Sequence, residues 1–155
     1  MDNHHLFENT GLIIFKNFIK DPEFYEICTN LKRDILIEFE NTDKKNLGGF
    51  QMGNLAVTTT KKYNKLIYDI LIQNGLEKII KEITNNKFSD YQITMGGNLN
   101  IPGGYTQHFH TDGIHENKFI IVNIATEDVY ENNGPLEIFC NTHKTKLPYW
   151  KFLLK

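Results

Sequence analysis

With 155 residues, 40% of them hydrophobic and 23% charged, the chain is long enough for one domain with a real core. A net charge of −2 argues against a nucleic-acid surface, and no apolar run is long enough to span a bilayer, so neither nucleic acid nor membrane is expected as a partner. Met1-Asp2-Asn3-His4-His5 lacks the basic-then-apolar pattern of a signal peptide, and the two distant cysteines, Cys28 and Cys140, suit reduced thiols, so a cytoplasmic protein is expected.

In chain order, His4 and His5 fall on what reads as a frayed terminus, and Gly11 to Phe18 reads as a short, largely buried strand. Asp21-Pro22-Glu23 then supplies an N-cap, a favoured first helical residue and an acidic first turn. The helix predicted from Pro22 to about Glu40 carries Phe24, Ile27, Cys28, Leu31, Ile35 and Phe39 at steps of three and four, which makes one apolar stripe. A polar loop ends in Gly48-Gly49, and Phe50 to Val57 reads as a strand. A second helix is predicted from about Thr60 to Gln73, with Tyr63, Leu66, Ile67, Ile70 and Leu71 on one face and Asn74-Gly75 as its stop. A third carries Leu76, Ile79, Ile80 and Ile83 and ends near Asn85-Asn86.

Beyond this point the periodicity changes. Phe88 to Met95 reads as a strand, and Asn98 and Asn100 should share one face of a second strand while Leu99 and Ile101 share the other. Pro102-Gly103-Gly104 is a turn, Gln107 to Asp112 a strand or strand end, Lys118 to Thr126 a buried strand, and Leu136 to Cys140 another. Helices first and strands afterwards predict an α+β chain in which helices buttress a β-sandwich or jelly roll.

The stretch that carries chemistry is Gln107-His108-Phe109-His110-Thr111-Asp112. In an extended strand, residues two apart point to one face, so His110 and Asp112 could reach one metal ion together. Such a pair is two-thirds of the 2-His-1-carboxylate triad that binds iron(II) and leaves positions open.

Four stretches together resemble the phytanoyl-CoA dioxygenase family of iron(II)- and 2-oxoglutarate-dependent oxygenases: Gly11 to Glu23, Asn100 to Gly104, Gln107 to Gly113, and Asn133-Gly134-Pro135-Leu136 through Lys144. In the last of these, Cys140-Asn141 and Thr142 stand where the family has Pro-Gly and Ser. The resemblance implies a double-stranded β-helix (a jelly-roll barrel), Fe(II) held by His110 and Asp112, and 2-oxoglutarate near Asn98, Asn100, Gln107 and Asn123. It also implies hydroxylation of a small organic substrate.

The match is incomplete. The family places a second metal histidine and a 2-oxoglutarate-binding arginine on a late strand, whereas this chain has no arginine after Arg33, and only His115 and His143 follow Asp112. Completing a jelly roll after that strand takes on the order of 55 residues. Only 43 are present (155 − 112). The expectation is therefore a single domain over residues 1–155, an incomplete double-stranded β-helix that lacks its last strands, with a C-terminal complementing segment or chain as a partner. Two rival readings stay open. One is a catalytically inactive remnant or small-ligand-binding module on the same scaffold. The other is a cupin-like zinc or manganese enzyme that uses His110, Asp112 and His143.

Overall fold

Asp2 and Gly11 punctuate the first element. In the computed structural model, which describes residues 2–43, 54–107, 109–110 and 119–144, α1 spans Asn3–Thr10. The Asp2 carboxylate accepts the His5 N–H at 2.8 Å. At the other end Gly11, at φ +73°, lets its own N–H reach the Phe7 carbonyl at 2.8 Å. This pairing of an acidic N-cap with a left-handed glycine is local helix punctuation. The frayed terminus expected here is thus a helix, and residues 11–18, expected as a strand, form turns and irregular chain outside any ladder.

The second helix, α2, spans Pro22–Asn41, where the sequence places it. The Asp21 carboxylate accepts the Glu23 N–H at 2.9 Å, and Phe24, Ile27, Cys28 and Leu31 are buried. The next helix is interrupted. A 3₁₀ turn at Thr59–Lys62 precedes α3, Asn64–Gln73, and the break falls at Tyr63. There Lys62 and Tyr63 both bond Asp34 on α2, and the Tyr63 ring is buried. Helix α4, Leu76–Thr84, starts after Gly75 at φ +91° and stops at Asn85, φ +59°, whose N–H meets the Lys81 carbonyl at 2.9 Å.

The buried residues of α2, α3 and α4, with Tyr63, form the core: Leu31, Ile67, Ile70, Leu71, Ile80 and Ile83 are among them. Each such side chain stabilises the fold by roughly 1.5–3 kcal/mol relative to exposure. No helix among the described residues is long and apolar enough to cross a membrane.

Two short strands make an antiparallel sheet, β1 (Asn54–Val57) and β2 (Gly97–Asn100), with Leu55 opposite Leu99 and Ala56 opposite Asn98. The alternation follows the pleat. Leu55 is fully buried and Val57 buried, while Ala56, Asn98 and Asn100 are exposed. Glu38 on α2 ties down the end of β1 by accepting both the Thr58 N–H (3.0 Å) and its hydroxyl (2.7 Å). After β2 the chain turns at Pro102-Gly103. Gly103 sits at φ +81°, and the Gly104 N–H donates to the Ile101 carbonyl at 3.1 Å, as a type II turn requires.

The jelly-roll expectation is overturned. Among the described residues there are four α-helices and one open two-stranded sheet, so the fold is α+β without a barrel. Residues 88–95 contain a 3₁₀ turn at Phe88–Asp90 rather than a strand, and residues 119–126 and 136–140 join no ladder. Strand propensity measures how side chains fit a pleated neighbour, and it cannot supply the neighbour. In 119–126 the helices compete for the apolar residues. Ile120 and Ile124 pack on the helical core, while Phe119, Ile121 and Val122 stay 46%, 49% and 46% exposed.

Candidate functional site

Of the two Fe(II) ligands that the sequence nominates, only His110 lies among the described residues. His110 is exposed and outside any strand, and Asp112, like His108 and His115, lies outside the described residues. The His143 ring lies against Gly11 and Phe7 at the end of α1. Among the described residues no three His, Cys, Asp or Glu side chains are grouped to hold a metal ion. The barrel walls that would carry a completing histidine are also missing from the described residues. The expected Fe(II) and 2-oxoglutarate cofactors, the dioxygenase reading and the family resemblance are corrected on these grounds.

Asn98 and Asn100 do share the exposed face of β2. The Asn100 amide is already engaged, since Nδ2 donates to the Gly134 carbonyl at 3.1 Å. Gln107 and Asn123 are exposed and in no ladder. Two of the four amides thus lie on the sheet and two outside it.

Three other features concentrate polar or apolar chemistry. The first is a carboxylate pin that sequence reasoning left unnoticed. Asp34, 17% exposed at its side chain, accepts the Tyr63 hydroxyl at 2.6 Å, the Lys62 ammonium at 2.8 Å and the Arg33 guanidinium at 3.1 Å. The Lys62 Nζ also lies 5.1 Å from the Tyr63 ring centroid. The Lys62 hydrogen bond first, then those from Tyr63 and Arg33, hold the Asp34 carboxyl far below the usual carboxylate range. The same bond to Asp34, with burial, pushes the Tyr63 phenol up, and Asp34 likewise raises Lys62. A carboxylate so stabilised in its charged form is a poor proton acceptor, so this cluster fastens α2 to the chain before α3 and does not act as a general base. The sequence held one signal for it: Asp34 falls three residues after Leu31 on the apolar stripe, where a carboxylate needs a partner.

The second feature is a pair of shallow clefts along α4, about 420 Å³ lined by Lys78, Lys81, Glu82 and Asn85, and about 350 Å³ bordered by Glu77, Lys87 and Phe88. Lys78 and Lys81 border both clefts, and the lysines outnumber the single glutamate of each, but every one of these side chains sits on an open surface where water weakens its pull on an ion.

The third is the run Phe119–Thr126. It contains no charged residue. Among the described residues none is hydrogen-bonded to the backbone N–H and C=O groups of this run. Immediately after it, Glu127 forms an ion pair with Lys32 on α2. The run is apolar and belongs to no sheet, with Ile120 and Ile124 seated on the core and Ile121 and Val122 between them exposed.

Set against known proteins, the chain matches no family model, no curated protein and no solved structure.

Proposed function

We propose that this chain is a binding module that accepts an extended segment of a partner protein along Phe119–Thr126. The observation that carries this is an uncharged, half-exposed apolar run whose backbone pairs with none of the described residues. A row of free N–H and C=O groups is a template for another strand, and main-chain pairing of this kind is a recurring way to recognise peptides. The helical core supplies a rigid support because Ile120 and Ile124 seat the run on it. Specificity would come from apolar side chains of the guest lying beside Phe119 and Ile121, which would share one face of the paired run.

The test is selection of random displayed peptides on the native chain and on Val122→Pro. Proline removes the Val122 N–H and should abolish pairing at an exposed site without emptying the core. Circular dichroism first establishes that the variant keeps its helices. The expected result is enrichment of uncharged, β-branched peptides on the native chain alone. Equal enrichment on both proteins, or none on either, would overturn the proposal.

A further inference from the structure

Residues Asn141–Lys144 return to the first helix, and four contacts meet there. The Asn141 N–H donates to the Thr10 carbonyl at 2.9 Å, with Asn141 itself at φ +67°. The Lys144 ammonium lies 2.5 Å from the Glu8 carboxylate, and this contact, as a hydrogen bond and then as a charge, lowers the Glu8 pKa. The His143 ring stands 6.5 Å from the Phe7 ring, centroid to centroid. It also covers Gly11 so closely that a Cβ there would lie 2.5 Å from its Nδ1 and 2.6 Å from its Cγ. Glycine at position 11 thus serves twice, for the left-handed end of α1 and for the approach of the imidazole.

Helix α1 needs tertiary contacts to persist. It has eight residues and none of them is fully buried. Isolated helices shorter than about 12 residues are marginal in water. Its other moorings are Phe7, partly buried against the core, and the His4 ring, which spans from the Ile83 carbonyl (Nδ1, 3.0 Å) to the Asn85 amide (Nε2, 3.3 Å) at the end of α4. The contacts from residues 141–144 add to the packing of α1 along α4, and the same contacts hold residues 141–144.

We propose that α1 and Asn141–Lys144 form a clasp: they close on each other through Glu8–Lys144 and the His143–Gly11 contact, and they open together while α2, α3 and α4 stay folded. Because the coupling is mutual, a change at either side must show at the other. Both charged side chains of the clasp are half-exposed, so charge reversal at either leaves the core untouched, and added salt acts in the same direction.

The experiment is amide hydrogen exchange on the full chain, comparing the native protein with Glu8→Lys, Lys144→Glu and the double exchange of the two. It needs no binding partner, so it stands or falls apart from the strand-accepting reading. Each single reversal is expected to speed exchange by about threefold or more both in residues 3–10 and in the segment around residue 141, with α3 and α4 unchanged. The double exchange should restore native rates. Acceleration confined to the mutated side, acceleration spreading to α3 and α4, unchanged rates, or a double variant that does not recover would each overturn the clasp.

Discussion

Alanine at Leu31 and alanine at Ile121 separate a helical core from a buried barrel strand. Leu31 is 4% exposed on the inner face of α2, among Phe24, Ile27 and the buried residues of α3 and α4. Truncating it removes the transfer free energy of the lost methyls and leaves a cavity that the helices close only in part. Leu→Ala at such sites costs about 2–5 kcal/mol, so about 3 kcal/mol is expected. That lowers the ratio of folded to unfolded chain on the order of a hundredfold. Ile121 is 49% exposed, half its surface is wet in the native state, and no closed cavity forms on truncation. Its loss should cost below about 1 kcal/mol. If residues 118–126 were instead a buried strand of a jelly roll, the same substitution would cost about as much as that at Leu31. The assay is urea unfolding followed by the helical circular dichroism signal, with the slope against denaturant checked for constancy. A cost above about 2 kcal/mol at Ile121, or below about 1 kcal/mol at Leu31, would refute the assignment of the core.

Two further outcomes follow from the ionisable groups. The Asp34 carboxyl is held below its ordinary range, so its stabilising contribution is complete above the unfolded carboxylate value and is lost as pH falls through it towards the folded one. Asp34→Asn should therefore lie furthest below the native protein near pH 7 and draw closer to it at about pH 3, measured as urea midpoints; an equal gap at both would count against the pin. Burial raises the Cys28 thiol pKa while Cys140 is exposed, so a thiol reagent should modify Cys140 in a fast phase and Cys28 at least about tenfold more slowly. Two equal rates would remove Cys28 from the core.

What could be read from the sequence was what depends on near neighbours. The apolar spacing of Phe24, Ile27, Cys28 and Leu31 and the cap at Asp21 lie within one helix, and both the element and its buried face follow from them. The same holds for Leu76, Ile80 and Ile83, and for the shared face of Asn98 and Asn100. Helix α1 was legible too, in Asp2 and Gly11, but its few apolar residues give no stripe, and the punctuation went unread. The break at Tyr63 depends on Asp34, 29 residues away, and could not be seen locally. The largest error came from treating β-rich stretches as strands. Leu55 and Leu99 find each other across the chain, whereas Ile120 and Ile124 are taken by the helices, and nothing in FIIVNIAT distinguishes those fates. The His110–Asp112 pairing rested on the same premise, that the chain there is a strand, and at His110 it is not.

The energetics of the exposed run also say what kind of guest it could hold. Each main-chain hydrogen bond contributes only about 0.5–1.5 kcal/mol net, because water releases a comparable bond. Ordering one residue of an incoming peptide costs about 1–2 kcal/mol. Backbone pairing alone therefore comes out near zero or unfavourable along Phe119–Thr126, and any peptide that paired without burying side chains would not stay. The surplus must come from covering Phe119 and Ile121, two residues apart, and then from the exposed Val129, Leu136 and Ile138 that follow in the chain. At about 25 cal/mol per Å² of apolar surface, this requires a guest with large apolar residues at alternate positions. A polar strand would gain the same hydrogen bonds and still be rejected. The uncharged stretch is bounded by Glu127, paired with Lys32, and then by Asp128 and Glu131 in a polar turn closed by Asn133, and these limit how far a guest or a second copy can extend its pairing. Selectivity at such an edge lies in the side chains, with the backbone setting only register and direction.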